Sequence, residues 1–459
     1  MSRIAIGAPT TLGVQIGGAL VISILGGALV AFVGDPVLLL AVVAAAGLVA
    51  AGLLRPALFL ALLLILRPVL DGPGGNAFSD APSANPAGLL GLVLIAVLVI
   101  LLVTKRRFAP PPATLAFVAL LLASAVAAFL AVLSVRNIGF TPISELIRLS
   151  AMAAIYVLAS QMVTDPKRLQ GIFVVVGLSA IVPALVGVYE LIEGPEPVVG
   201  FDIGRINGTF VGPLPFSAFI AVCALVLASL PRAALSPWIR WPTLTLLLVT
   251  LVASYSREGW ILFLVGFALL RWRTRPQLVL ATVIACAIVV AAVPNVQHRV
   301  LPSATTQSGT AAYDSLDWRF ANWRGLLAEY ERRPLTGWGL KSTRHVNPRA
   351  PVSGRAYAAA GGGYEAHNLG VRALVEGGPL LLAAYLVLLG AIILALRRIA
   401  RDRAWPQRDL ARVVLCLWIA LAIIAFAAND PFEQTAMMYA VLALTGAVAG
   451  AYRHWRETA

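Results

Sequence analysis

Residues 379–398 read PLLLAAYLVLLGAIILALRR, an apolar run that stops at two arginines. A run of about 20 mostly apolar residues is long enough to cross a bilayer as a helix. Such runs lie near 13–33, 37–54, 56–70, 88–104, 113–134, 144–162, 170–192, 213–231, 241–256, 258–272, 277–294, 368–396, 410–428 and 434–452. The sequence therefore predicts an all-α, polytopic transmembrane bundle of about 12 to 14 spans, twelve if one or two runs are re-entrant or interfacial.

The composition supports a membrane protein and excludes several other classes. Hydrophobic residues make up 60% of the 459-residue chain and charged residues 12%, whereas soluble domains carry about 25% charged residues. A chain so poor in charge cannot cover its surface with polar groups, which excludes a cytosolic enzyme and a disordered protein. The three cysteines lie within apolar runs, which argues for small core residues rather than a disulfide framework.

The charge distribution predicts how the helices are oriented. The chain has 35 basic and 21 acidic residues, a net charge of +14. If the N-terminus lies inside and every run crosses, more than half of the basic residues, including Lys105–Arg107 and the cluster from Arg397 to Arg412, fall on the inner side. The positive-inside rule then predicts cytoplasmic N- and C-termini. The excess of basic residues is explained by their position on the inner side of the membrane and by contact with lipid headgroups. Nucleic acid is therefore not expected as a partner.

A long polar connection divides the chain into three parts. Transmembrane helices 1 to 11 are expected in residues 1–294, a large outer loop in 295–367, and the C-terminal transmembrane helices in 368–459. The loop is rich in Trp, Tyr, Arg and Gly, which argues against disorder. Within it, a polar cap, an acidic first turn and a following Pro334 predict a short helix over 314–333. The apolar stripe of that helix comprises Leu316, Phe320, Trp323, Leu327 and Tyr330.

Short motifs on the predicted outer side carry the candidate functional residues. Ser256–Trp260 (SREGW) joins two apolar runs with almost no loop, and an arginine so close to hydrocarbon is a functional candidate. Arg319 precedes Trp323 by one helical turn, and His367 lies in the sequence AHN where the loop meets the next helix. The remaining motifs are PLTGWGL at 334–340 and Arg205-x2-Gly208 ahead of a span.

This ordered set of motifs resembles the O-antigen ligase and polymerase superfamily, bacterial membrane glycosyltransferases that use polyprenyl-diphosphate-linked glycans. The resemblance implies a GT-C-like bundle with its active site at the periplasmic face. The two arginines and one histidine that are essential in the ligases correspond to Arg257, Arg319 and His367, and a further family arginine corresponds to Arg205. The family often has Gly-Leu-Leu-Gly where this chain has Gly377–Leu380, which predicts a local break in the helix.

These residues suit transfer of a glycan from undecaprenyl diphosphate to an acceptor hydroxyl. Arg257 and Arg319 would pair with the diphosphate, whose negative charge grows as the anomeric C–O bond breaks. His367 would act as general base, and direct attack would invert the configuration. Further candidates for binding the diphosphate or glycan are Arg205, Trp323 and Asn368. The outer carboxylates are scattered and include no Asp-x-Asp, so neither a metal site nor another cofactor is expected.

Several functions remain compatible with the motifs. One dominant outer loop favours ligation to lipid A–core, with O-antigen or exopolysaccharide repeat-unit polymerisation as the alternative and a protein acceptor as a third variant. A transporter or flippase of an anionic lipid-linked substrate would instead bury paired ionisable residues in mid-span. The expected location is the bacterial inner membrane, and the expected partners are a lipid-linked glycan donor and a lipid-linked or saccharide acceptor.

Less specific interpretations remain open for single residues. Arg257 is also placed to snorkel at a helix end, and Arg319 to form a surface ion pair with Asp317 or Glu365. The apolar stripe suggests packing or interface anchoring rather than a sugar platform. A solvated surface is favoured for Arg324, Arg344, Arg349, Arg355 and Arg372.

Overall fold

The computed structural model describes residues 47–71, 86–104, 109–135, 138–194, 204–292, 315–347 and 365–459. These residues are mainly helical, and none of them forms a β-strand. After a helical stretch over 47–54, the helices are α1 (Pro56–Val69), α2 (Pro86–Thr104), α3 (Thr114–Ser134), α4 (Thr141–Met162), α5 (Pro166–Leu178), α6 (Ile181–Glu193), α7 (Pro213–Ser229), α8 (Pro237–Ala253), α9 (Arg257–Arg271), α10 (Pro276–Ala292), α11 (Ser315–Glu331), α12 (Thr343–Val346), α13 (Leu369–Arg401), α14 (Arg408–Ala427) and α15 (Thr435–Thr458).

The helices confirm the predicted polytopic helical membrane protein. Within the described residues, six helical segments are long and apolar enough to cross a bilayer, and five shorter helices are also apolar. The predicted run 170–192 is two helices, α5 and α6, separated by a break at Ser179–Ala180, and the two together make one candidate span. The predicted run 13–33 and most of 37–54 lie outside the described residues.

The outer surface of the bundle is apolar, as contact with lipid requires. Leu115 is 83% exposed and Phe129 is 65% exposed, and both lie on α3. The opposite face of α3 carries small residues, among them Ala127 and Ala131, that are buried against the rest of the bundle. A helix that is apolar on all sides is expected in hydrocarbon, where its backbone hydrogen bonds are satisfied internally.

The core of the bundle is formed around α15, which is almost wholly buried. α15 packs closely on α4 because two glycines, Gly446 and Gly450, face it. A Cβ atom on Gly446 would lie 2.1 Å from the carbonyl oxygen of Tyr156, and one on Gly450 would lie 2.2 Å from that of Ser160. This is the small-xxx-small arrangement that lets two membrane helices approach each other, because van der Waals contact drives their association in lipid.

Several helix ends that carry polar residues lie at the same end of the bundle. α13 and α14 are antiparallel neighbours joined by a short connection, so the start of α13 lies beside the end of α14. α15 begins a few residues after α14, and α11 packs against α13. The basic residues Arg397, Arg398, Arg401 and Arg408 lie at the opposite end of these helices.

Candidate active site

The predicted catalytic residues meet at one end of the bundle. Arg257 begins α9, His367 lies two residues before α13, and Arg319 lies near the start of α11. Arg319 Nη1 donates a hydrogen bond to the carbonyl of Ala428, which directly follows α14. Burial and then the charge of Arg319 lower the pKa of His367. Burial also lowers the pKa of Arg319, with Glu258 opposing the shift and Arg257 adding to it. Arg319 therefore lies within electrostatic range of both His367 and Arg257.

The SREGW segment forms a tight junction between α8 and α9. Tyr255, just before it, has a φ of 46°, in the left-handed region that non-glycine residues rarely adopt. Arg205 is buried, and its Nε donates to the carbonyl of Ser254 at 3.2 Å. These contacts fix the turn so that the half-buried Arg257 begins α9 beside the other candidate residues.

Glu258 ties the first turn of α9 to the segment between α14 and α15. The residue is 5% exposed. Its Oε2 accepts from Asn429 Nδ2 at 2.8 Å, and its Oε1 accepts from Gln434 Nε2 at 2.8 Å. A buried carboxylate needs such donors, because its desolvation would otherwise be very costly. Glu258 thus holds the neighbouring Arg257 at a fixed place relative to the last two helices.

His367 is held in a strained backbone conformation. Its φ is 48°, and its Nδ1 lies 3.3 Å from Asn429 Oδ1. The carbonyl of the preceding residue, Ala366, accepts a hydrogen bond from Trp323 Nε1 at 2.7 Å. Strained residues persist only where the surroundings fix them, and they cluster at functional sites. His367 as a whole residue is of intermediate exposure, which suits a residue that contacts a substrate.

Two residues predicted to bind substrate make hydrogen bonds within the protein. Trp323 holds the carbonyl beside His367, as described above. Asn368 caps α13: its Oδ1 accepts from the Val371 amide at 3.0 Å, and its Nδ2 donates to the Phe426 carbonyl at 2.8 Å. The structure therefore gives Trp323 and Asn368 a positioning role, and their contact with substrate stays a prediction, as does that of Arg205.

The buried face of α11 overlaps only in part with the predicted apolar stripe: Tyr330 packs beside Leu326 and Trp323 contacts Ala366. Leu326 and Asn322 are buried, whereas Phe320 is 50% exposed. Asn322 Nδ2 donates to the carbonyl of Glu365 at 3.0 Å. The pattern of apolar residues did not predict that Asn322 is buried, because asparagine is polar. Its burial is possible because its side chain donates a hydrogen bond to the carbonyl of Glu365.

The PLTGWGL motif at 334–340 docks on a kink in α13. Gly378, with a φ of 63°, interrupts the helix immediately before Pro379, which confirms the predicted local break. Proline has no N–H group, so the carbonyl of Val375 loses its helical donor. The amide of Trp338 replaces that donor at 2.7 Å. The motif is thus built to cover the carbonyls that the kink exposes.

A second polar cluster lies nearby and is called the Arg372 network. Its members are Arg372, Lys341, Glu145, Asp430 and Glu433. Arg372 is 1% exposed, its Nε forms an ion pair with Asp430, and its Nη1 lies 3.2 Å from Glu145 Oε1. Lys341 Nζ lies 2.8 Å from Glu433 Oε1. The interpretation of Arg372 as a solvated surface residue is therefore wrong: four carboxylates, those of Glu145, Glu376, Asp430 and Glu433, lie around its guanidinium inside the protein.

Opposite charges within the Arg372 network stabilise one another. Burial raises the pKa of Glu433, but Lys341 and then Arg372 outweigh burial and hold it well below its usual range. Burial lowers the pKa of Lys341, but Glu365 and Glu433 hold it above its usual range. Lys341 also has a positive φ, 61°. The network thus fixes the loop that carries Lys341 to the start of α13 and to the segment before α15.

The structure places the SREGW, Arg-x3-Trp and AHN motifs in one region, and the comparison with known families covers the same part of the chain. Residues 242–386 match the family model described as O-antigen ligase. This segment is an O-antigen ligase domain. The match confirms the family resemblance predicted from the motifs. No curated protein matches the chain.

The O-antigen ligase domain contains the three predicted catalytic residues but not all of their partners. Asn429 and Gln434, which hold Glu258, lie beyond the matched segment, as does Arg205. The sequence interpretation did not single out Asn429. A signal was present: Asn429–Glu433 (NDPFE) places a carboxamide and two carboxylates in a short connection between two apolar runs.

The chemistry available to the O-antigen ligase domain follows from this arrangement. The guanidinium of Arg319 lies within electrostatic range of Arg257 and of the His367 imidazole, whose pKa is lowered by burial and by Arg319. The imidazole is therefore neutral at pH 7 and able to accept a proton, while guanidinium groups stay charged and bind phosphate oxygens in a planar fork. Together with the membrane helices, the match over residues 242–386 supports a membrane protein of the O-antigen ligase or polymerase type.

Proposed function

We propose that this protein is a bacterial inner-membrane glycosyltransferase that moves a glycan from undecaprenyl diphosphate to an acceptor hydroxyl at the periplasmic face. The observation that supports it most directly is the meeting of Arg257, Arg319 and His367 at one end of the bundle. A diphosphate leaving group calls for permanent positive charge, and a sugar hydroxyl calls for a base. The proposed periplasmic loop, 295–367, contributes Arg319 and His367.

The proposed reaction is a single displacement. The acceptor oxygen attacks the anomeric carbon, the bond between that carbon and the diphosphate oxygen breaks, and the bonding pair leaves with the diphosphate. His367 takes the proton of the attacking hydroxyl. Arg257 and Arg319 stabilise the charge that develops on the leaving diphosphate. Attack from the face opposite the leaving group inverts the anomeric configuration, and no step requires a metal ion.

The test is a transfer assay with the purified protein, reconstituted in vesicles, and a lipid-linked glycan donor of known anomeric configuration. We expect glycan transfer at full rate in excess chelator and a product with inverted configuration, read by NMR of the new linkage. Loss of transfer in chelator with recovery in magnesium would contradict metal independence. Retention of configuration would contradict the single displacement.

The identity of the acceptor distinguishes a ligase from a polymerase. We propose a ligase that uses lipid A–core, so lipid A–core should be glycosylated in the reconstituted assay while free lipid-linked donor units are not extended. Extension of the donor itself to longer chains would instead identify a polymerase.

A transporter or flippase is less well supported. The Arg–His residues and the Arg372 network lie near helix ends at one end of the bundle, not in mid-span. Movement of a fluorescent lipid-linked glycan across protein-containing vesicles without any transfer would favour the transporter.

A further inference from the structure

A line of hydrogen-bonded side chains runs from the buried interior to His367. Glu258 accepts from Asn429 Nδ2 at 2.8 Å, and Asn429 Oδ1 lies 3.3 Å from His367 Nδ1. Gln434 Nε2 donates to the other oxygen of Glu258 at 2.8 Å. Asn429 and Glu258 are both 5% exposed. These buried groups lie on one side of His367, which as a whole residue is of intermediate exposure.

The orientation of the Asn429 carboxamide is fixed by two independent contacts. The backbone amide of Asp430 lies 2.9 Å from one of its side-chain atoms. A backbone N–H group only donates, so that atom is the oxygen, Oδ1. The other side-chain atom, Nδ2, is an NH2 donor and meets the carboxyl of Glu258, which accepts. Both contacts give the same orientation of the carboxamide.

The orientation of Asn429 determines the tautomer of His367. Oδ1 of a carboxamide only accepts hydrogen bonds, so the His367 nitrogen that faces it, Nδ1, must carry the hydrogen. In a neutral imidazole the lone pair is then on Nε2. We propose that Asn429, itself oriented by Glu258, is a positioning residue that sets His367 in the Nδ1–H tautomer, so that Nε2 is the atom that takes the acceptor proton. The catalytic part of this inference rests on the proposed function.

The chemistry of the site explains why a carboxamide suits this position better than a carboxylate. A carboxylate beside Nδ1 would stabilise the imidazolium and would attract Arg319, whose charge faces the same ring. Asn429 fixes the tautomer without adding a negative charge. The other charged groups that face His367 are Glu433, from the segment before α15, and Glu365, from the loop before α13. The backbone on the N-terminal side is fixed independently by Trp323.

The tautomer is measured directly by NMR of the full-length protein with 15N-labelled histidine side chains, in detergent and without substrate. The chain has four histidines, and the His367 signals are identified by their absence from His367→Gln. We expect the Nδ1–H tautomer in the wild-type protein at neutral pH and a shift to Nε2–H in Asn429→Ala. Nε2–H in the wild type, or an unchanged tautomer in Asn429→Ala, would overturn the proposal.

Two further variants separate positioning from a general loss of stability. Thr445→Val removes a buried hydrogen bond to Trp418 within the core, and its His367 tautomer should match the wild type. Asn429→Asp keeps the oxygen that faces Nδ1 and should keep Nδ1–H, while its second oxygen, which takes the place of the Nδ2 donor, shares a proton with Glu258. A shift to Nε2–H in either variant would contradict the inference.

Turnover links the tautomer to the proposed reaction. Asn429→Ala should lower kcat about 10- to 100-fold with little change in KM, as expected for a group that orients another. If Asn429→Ala changes the tautomer but not kcat, Asn429 does set the tautomer of His367, but the tautomer does not matter for catalysis and that part of the proposal is wrong. If His367→Gln transfers glycan at the normal rate, the general-base assignment in the proposed function fails, whatever the tautomer.

Discussion

The two polar clusters at the same end of the bundle differ in how their cations are partnered. In the Arg372 network, buried Arg372 and Lys341 are matched by carboxylates. In the second cluster, here called the Arg–His cluster and comprising Arg257, Arg319 and His367, Arg319 donates to a neutral carbonyl, and the side chains are partly exposed. Glu258 lies within electrostatic range of Arg319, but its oxygens accept hydrogen bonds from Asn429 and Gln434. A cation that is paired with a carboxylate attracts an anionic ligand only weakly. A cation that donates to a neutral carbonyl keeps its net positive charge and attracts such a ligand more strongly.

This difference separates a cluster that holds the structure from one that is suited to bind a substrate. Removing one partner from a buried ion pair leaves an uncompensated charge in a medium of low dielectric. Removing a cation that faces a substrate instead affects the reaction. Substitutions in the two clusters should therefore change different measured quantities, and the four predictions below test that separation.

The largest effect is expected for His367→Gln in the Arg–His cluster. Glutamine keeps a polar side chain but is not a base, so kcat for transfer should fall by about 100- to 10,000-fold. The melting temperature of the purified protein should change little, because His367 as a whole residue is of intermediate exposure. An equal loss of stability and turnover would place His367 with the structural cluster instead.

Arg372→Met should affect stability most strongly. Methionine fills similar volume but leaves the buried Asp430 carboxylate without its cation, while Glu145 keeps Arg148. The unpaired charge should destabilise the fold by about 3–5 kcal/mol. The expected readout is a large fall in melting temperature and a low yield of folded protein. Arg344→Met is the matched control, since the Arg344 side chain is 61% exposed beside Glu365. A stable, inactive Arg372→Met protein would move Arg372 into the reacting cluster.

Arg319→Lys should lower turnover while the fold remains intact. Lysine keeps the charge but loses the planar fork that pairs with two phosphate oxygens. Removing one donor to a developing charge typically costs about 2.7–4 kcal/mol of transition-state stabilisation, and we expect a loss of about 100- to 1,000-fold in kcat for Arg319→Ala and a smaller loss for Arg319→Lys. Equal activity of Arg319→Lys and wild type would show that the charge alone is sufficient.

The smallest effect is expected for Trp323→Phe, which removes the indole N–H and keeps an aromatic face. If Trp323 positions Ala366 and hence His367, the variant loses one hydrogen bond, and stability should fall by about 0.5–1.5 kcal/mol with a few-fold loss of kcat. A sugar platform predicts a different result, namely an unchanged kcat with Phe and a raised KM with Trp323→Ala.

The pH dependence of transfer provides a further check on the Arg–His cluster. Burial and Arg319 lower the pKa of His367 below its usual value of 6.5. The base must be neutral, so the rate should stay high at pH 6.5 and fall only as the pH drops through the lowered pKa. Arg319→Ala removes part of the shift and should move this fall to higher pH. A fall already centred above pH 7 in the wild type would contradict the assignment.

Much of the fold was predictable because helices in a membrane are encoded locally. Each predicted apolar run within the described residues is helical, although 170–192 is two helices, and the break at Gly378 follows from a glycine next to a proline. The close packing of α15 on α4 was not predicted, although Gly446 and Gly450 have the spacing of two small residues on one helix face. Recognising it required knowing which helix lies opposite.

The sequence by itself determined the helical membrane architecture and predicted the family resemblance and the candidate residues Arg257, Arg319 and His367, because hydropathy and short motifs are read along the chain. Only the tertiary structure decided which charged residues are partners. Arg372 meets Asp430, and Asn429 joins Glu258 to His367, across long separations in sequence. A side chain's electrostatic environment is set by neighbours in space, and it is this environment that separates a buried structural cation from one available to a substrate.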